Sequence, residues 1–251
     1  MRLFKDVSSN LIFIGLVVFV STALWSYAFF TKEIKTYKNV VSVIGVATKE
    51  VTSDRASWRI SLARKSLDRS ANLIKLSADE KNIQSFLSSS GFSPEEISTP
   101  QISAVVNYKP NPNGYGITDE IVSYETRSTF YVTTNKVNKV EEGVNLLRRY
   151  GEENNIELAD DVSEYTYSAF EKEKIPLLQK AIEDAQNRAN ALVNATKGVS
   201  KTSIGKILSA QQGVFQVNST NDNSVSDYGN FDTSSIQKTI RATVTVEFAA
   251  N

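Results

Sequence analysis

The 251-residue chain contains no cysteine and no histidine. Without them it cannot build a Ser-His-Asp triad, a cysteine nucleophile, a zinc finger or a histidine-ligated metal centre on its own. It cannot be a disulfide scaffold either. An exported chain gains from carrying no stray thiol, although many cytosolic chains also lack cysteine. A surplus of one charge is missing too: 28 basic residues balance 28 acidic ones. Nucleic-acid binding leaves a basic footprint, so nucleic acid is not an expected partner. Long apolar runs are absent with one exception, at the N-terminus.

Apolar residues make up 41% of the chain and charged residues 22%, the balance of a folded protein. No charge falls between Val7 and Thr31. The core of this stretch, LIFIGLVVFVSTALWSYAFF (Leu11–Phe30), is long enough as a helix to cross the roughly 30 Å hydrocarbon layer. Trp25 and Tyr27 stand near one end, where aromatic rings favour the lipid–water boundary. Three readings compete: an uncleaved signal anchor, a signal peptide cut after a Ser26-x-Ala28 site, and a buried core helix. The run exceeds the usual h-region of about 7–15 residues, which favours the anchor. The expected organisation is a flank over 1–10, a transmembrane anchor over 11–30, a juxtamembrane linker over 31–39 and an extracytoplasmic domain over 40–251. Basic residues flank both ends of the span, but a long downstream domain translocates largely regardless of charge. The expected location is therefore the inner membrane, single-pass, with the C-terminal domain in the periplasm or otherwise outside the cytoplasm.

Beyond the linker, β-branched Val40–Val51 reads as a strand. Ala56, Trp58, Ile60 and Leu62 alternate with polar residues, the pattern of a half-buried strand. Asp68–Ser90 reads as a helix burying Leu73, Leu76, Ile83, Phe86 and Leu87, capped by Asp68 or Ser70 and ended by Gly91. Glu95–Tyr108 reads as a strand carrying Pro100, then a long loop (Lys109–Asp119), then a strand over Ile121–Thr133 with Val122, Tyr124, Phe130 and Val132 on one side. Val137, Val140, Val144 and Leu147 mark a second helix. A short strand follows over Val162–Phe170. The third helix begins near Pro176, ends at Gly198 and buries Ile175, Leu178, Ile182, Ala185, Ala189 and Leu192. Ser203–Val217 reads as a strand, Asn218–Ser235 as a mobile loop, and Ile236–Phe248 as a long amphipathic strand. The fold class expected is α+β: antiparallel sheet or sheets, with about three helices packed on one face, preceded by one transmembrane helix.

Four strings in this order resemble the SIMPL domain family. They are VSVIGVATKEVTSDRASWRISL, EEISTPQIS, AIEDAQNRANALVNATKGVSKTSIGKILS and the terminal strand. Gly45 matches the family's glycine in the first strand, while Ser53 replaces its usual proline. The family includes periplasmic immunogenic and oxidative-stress-defence proteins. The resemblance implies an exported or anchored envelope protein, linked to stress tolerance and in some members assembling into large rings. It carries no catalytic motif.

Chemistry has few candidates. Glu95-Glu96, Glu152-Glu153 and Asp160-Asp161 are adjacent carboxylates, whereas glycosidases use pairs about 5–10 Å apart across a cleft. Asn221, Asp222, Asn223 and Asp227 faintly echo a calcium loop but lack its glycine and closing glutamate. Tyr108, Tyr115, Tyr124, Tyr165, Tyr167 and Tyr228 suit contacts if exposed and core packing if not. Two sequons, at Asn194 and Asn218, are chance matches in an envelope protein of this kind. No residue is assigned a catalytic, cofactor-binding or metal-ligating role, and no cofactor is expected. The expectation is a non-enzymatic protein whose partners are the membrane and either further copies of itself or another envelope protein. The alternative is a small-ligand or cell-wall-glycan module with the 109–119 and 216–235 loops as its mouth. A hydrolase using Ser-Lys or paired carboxylates ranks third.

Overall fold

The computed structural model describes residues 14–28, 40–195 and 203–250. Residues 14–28 form helix α1, and every one of them is exposed. Its described length is about 22 Å at 1.5 Å per residue. Among the described residues no helix is long and apolar enough to cross a membrane. The remainder of the expected 11–30 span, the 31–39 linker and Gly198 lie outside the described residues.

Those residues fall into two compact units, one within Met1–Ala47, Leu178–Gly213 and Thr243–Asn251, the other within Thr48–Leu177 and Val214–Ala242. The boundaries fall inside three elements: β1 (Val40–Thr52), α4 (Phe170–Ala195) and β9 (Gln237–Ala250).

The larger unit is built on a four-stranded antiparallel sheet in the order β3-β4-β2-β5. Its strands are β2 (Arg55–Ser66), β3 (Gln101–Pro110), β4 (Ile117–Thr134) and β5 (Leu158–Thr166). Helices α2 (Arg69–Ser89) and α3 (Val137–Glu153) pack on it. The alternation expected in β2 holds: Ala56, Trp58, Ile60 and Leu62 are fully buried, against Phe130 and Val132 of β4 and Leu76, Ile83, Leu87, Val140 and Leu147 of the helices. The Trp58 ring meets Phe92 edge-on at 6.1 Å. A Cβ at Gly143 would stand 3.1 Å from that ring, so the glycine lets α3 lie close over it. Asp68 caps α2 by accepting the N–H groups of Ser70 and Ala71. The buried stripe of α2 differs from expectation. Leu73 is 40% exposed, while Asn72 and Asp79 are buried. Asn72 Nδ2 donates to the Tyr124 carbonyl at 2.8 Å, and Asp79 takes both Nε and Nη2 of Arg64 at 2.6 and 2.9 Å. Satisfied in this way, polar groups can occupy apolar positions.

Several boundaries are corrected. The strand expected over Glu95–Tyr108 is a single 3-10 turn, Pro94–Glu96, followed by β3, with Pro100 just outside the ladder. The strand expected over Val162–Phe170 is β5, which ends at Thr166, and α4 begins at Phe170, placing Pro176 inside the helix. Asn218–Ser235 is organised rather than open. It holds β8 (Asn230–Phe231), which pairs in parallel with β7 (Gln216–Ser219) and makes that sheet mixed. Buried Asn218 Nδ2 donates to the carbonyls of Asp222 and Ser224, and Asn230 Nδ2 donates to Asn218. Strand β7 in turn pairs with β9 from Gln216↔Arg241 to Ser219↔Lys238.

In the smaller unit, β6 (Ile204–Gln212) pairs antiparallel with β9 from Ile204↔Ala250 to Gln212↔Val244. The strand expected to run on to Val217 breaks at Gly213, whose N–H donates to the Thr243 carbonyl. The buried stripe of α4 is Leu177, Ala181, Ala185, Ala189 and Val193, while Ile175 and Leu192 are 68% and 55% exposed. The expected stripe, stepping by three and four, shares Ala185 and Ala189 with the observed one, which steps by four throughout and so departs from it by one residue on either side. The reason is Gly45 of β1. A Cβ there would overlap the Ala181 carbonyl and stand 2.7 Å from Ala185 Cβ, so helix and strand meet only where both present small residues. The Val46 N–H donates to Asp184 Oδ2 at 2.8 Å and ties the two elements together. The three domain helices therefore do not share one face: α2 and α3 cover the four-stranded sheet, and α4 lies on β1.

Candidate interaction surface

Strands β3 and β4 continue past the helices as a hairpin arm. Their antiparallel register runs from Gln101↔Thr129 out to Pro110↔Ile117, with an extra residue on β4 between Ser123 and Ile121. At the tip, Asn111 Oδ1 accepts the Asn113 N–H, and Gly114 and Gly116 adopt the positive φ that the turn requires. Nearer the core, Thr126, Ser128, Phe130 and Val132 are fully buried on the face covered by α2, and Ser128 Oγ donates to Glu80 of that helix at 2.5 Å. Among the described residues the outer arm has little cover on either face: Ile102, Val106 and Tyr108 on the α2 side of β3, Val105 on the other, and Ile117, Ile121 and Val122 of β4 are between 37% and 67% exposed. Strand β3 is the end of its sheet, and every residue in it but Asn107 is exposed. It carries one charge, Lys109, which pairs with Glu120 across the hairpin at 2.7 Å. Edge strands usually carry charges, bulges or covers that prevent pairing with other chains. This one exposes apolar side chains along most of its length.

Among the hollows the structure bounds, two are lined mainly by apolar groups. In the larger unit, a cavity of about 160 Å³ lies among Tyr165, Tyr167, Phe170, Phe231 and Lys238. Phe170 meets the rings of Phe215 and Phe231 edge-on at 5.9 and 5.4 Å. Lys238, 1% exposed, donates to the Asp232 carbonyl at 2.6 Å and to its Oδ2 at 3.1 Å. Burial opposes ionisation of Asp232, but hydrogen bonds from Ser235, Ser234 and Lys238 outweigh it and hold the carboxyl below the usual range. In the smaller unit, an open groove of about 800 Å³ runs along Val43, Ile44, Ala191, Leu192 and Ala195.

The remaining sequence candidates are dispersed. Asp160 pairs with Arg59 at 2.5 Å, while its neighbour Asp161 accepts Trp58 Nε1 at 2.5 Å and Arg148 Nε at 2.9 Å. Glu96 accepts Lys136 Nζ, Thr134 Oγ1 and the Ser93 N–H, which together lower its pKa to about 2. Glu95, Glu152 and Glu153 are exposed. Asp222 receives the N–H and hydroxyl of Ser224. Among the described residues no three carboxylates cluster closely enough to hold a metal ion. Of the tyrosines, Tyr165 is 5% exposed and in the core, whereas Tyr115 and Tyr228 are 91% and 98% exposed. Among the described residues no hydrogen bond, ion pair or ring contact joins the 109–119 and 216–235 loops; only the second borders a cavity. The apolar arm escaped the sequence reading because exposed and covered alternation look alike in sequence.

The protein is thus of the α+β class, with helices on mixed and antiparallel sheets and an uncovered hairpin. A family model, SIMPL, described as a protein of unknown function (DUF541), matches residues 41–248, and the chain belongs to that family. No curated protein matches it.

Proposed function

We propose that this chain is a membrane-tethered, extracytoplasmic SIMPL protein that acts by contact rather than by covalent chemistry, through the β3–β4 arm. The carrying observation is the apolar, uncovered arm with its open outer edge. The charge-free Val7–Thr31 stretch supports the tether, with the inner membrane as its site and the folded part beyond the cytoplasm. The lack of histidine and cysteine supports a non-enzymatic role, as does the engagement of Glu96, Asp160 and Asp161 with cations. A role in envelope stress completes the reading, and loss of the gene is expected to lower tolerance of oxidants. A glycan site at the 216–235 loop is disfavoured by size: the 160 Å³ cavity it borders is well below the roughly 300–1,000 Å³ of ligand sites.

The test has two parts. A periplasm-dependent reporter fused after Asn251 should be active; a silent, well-expressed fusion overturns the topology. In intact membranes, a lysine-reactive crosslinker should yield species larger than one chain. Changing Val105, Val106 and Tyr108 together to glutamate, which adds charge but no new reactive amine, should remove them. Crosslinking that survives this change overturns the arm as the contact surface.

A further inference from the structure

We infer that the partner of the arm is a second copy of this chain, joined edge to edge through β3 about a two-fold axis at Val105. The inference rests on the contact reading above and names its partner.

Three features of β3 lead there. First, its outer edge is open among the described residues, because β4 is its only ladder neighbour. An open edge is a row of unmet N–H and C=O groups that another strand can satisfy. Second, β3 is complementary to itself. With Val105 opposite its own copy in an antiparallel pair, Ile102 faces Tyr108 and Ala104 faces Val106 on the side that carries α2. On the other side Ser103 faces Asn107 and Gln101 faces Lys109. Apolar residues then meet apolar residues, polar residues meet polar ones, and the lone charge never meets its twin. A shift of one residue would set Ile102 against Lys109 and lose that match. Third, the axis keeps α2 of both copies on one side of a continuous sheet. Ile102, Ala104, Val106 and Tyr108 of each copy then form one continuous apolar floor between two helices. This is an isologous contact, the commonest symmetry of soluble oligomers.

Ten residues a side is fewer than the 20–30 of a free-standing interface. The pairing is therefore weak between dilute chains and strong between chains confined to one membrane, where effective concentration is high.

The chain has no native cysteine, so single thiols report the register directly. Full-length Val105→Cys, Ser103→Cys and Asn107→Cys, all at β3 positions away from the core, would be oxidised in membranes and run on non-reducing gels. At the axis, opposed Cα atoms lie about 4.5–5.5 Å apart, within disulfide reach. Two Ser103 residues would be about 14 Å apart, beyond it. Val105→Cys should give at least tenfold more dimer than either other single variant, and Ser103→Cys/Asn107→Cys together should restore bridging. No dimer at Val105, or equal dimer at all three positions, overturns the inference. If Val105→Cys fails while the triple glutamate change still abolishes lysine crosslinks, the arm remains a contact surface and its partner is a different protein.

Discussion

Strand β4 is two environments on one ladder. From Thr126 to Thr134 every second residue is buried beneath α2 and the rest of the core; from Ile117 to Val122 every residue is wholly or partly exposed. β-Branched content does not separate the halves, since Ile117, Thr118, Ile121 and Val122 match Thr126, Thr129, Val132, Thr133 and Thr134. The difference lies in what stands above them. Alternation specifies which residues share a face, and a packing partner decides whether that face leaves water.

Stability measurements can break or sharpen that contrast. Phe130→Ala should cost about 3–5 kcal/mol in denaturant unfolding, while Ile121→Ala on the same strand should stay within about 0.5 kcal/mol. A similar cost for both would mean the arm is covered after all. Ion pairs should divide likewise. Arg64–Asp79 is mostly buried, so Asp79→Ala, which leaves the guanidinium without its carboxylate, should cost about 2–4 kcal/mol. Lys109–Glu120 is exposed, and Glu120→Gln should change stability by less than about 0.5 kcal/mol. Glu96 clamps the turn before β3 to Thr134 and Lys136. Its pKa is lowered from 4.5 to about 2, so its contribution is complete above pH 4.5 and disappears as pH falls through 2. Glu96→Gln should remove about 1–2 kcal/mol at pH 7 and flatten the acid limb between those values. At Ser53 the sign should reverse. Its buried hydroxyl has no partner among the described residues, so Ser53→Ala should be neutral or stabilising by up to about 0.5 kcal/mol. Ser53→Pro, restoring the family's usual residue, should destabilise instead, because the Ser53 N–H donates to the Ile236 carbonyl at 2.9 Å.

Much of the fold was legible in sequence. Strict alternation gave β2 and β9, and of the two caps open for α2, Asp68 or Ser70, the helix uses Asp68. What misled was degeneracy. The stripe of α4 can step by three and four or by four alone through Ala185 and Ala189, and only the partner at Gly45 chooses between them. Asn72 and Asp79 look like solvent-facing positions until Tyr124 and Arg64 are known to lie opposite. The candidate surface was the least legible part. Its hairpin could be read from the Pro, Gly and Asn of the tip, but its exposure depends on where α2 stops covering the sheet, a property of packing that no local string encodes.

At the far side of the four-stranded sheet, the Tyr165 N–H of β5 donates to the Thr233 carbonyl at 2.7 Å, so at that residue the rim is engaged by its own chain. A β3 rim used symmetrically would be consumed by a single partner. Growth beyond a pair would then have to pass through some other surface, and a larger ring of this protein would need one for its next contact.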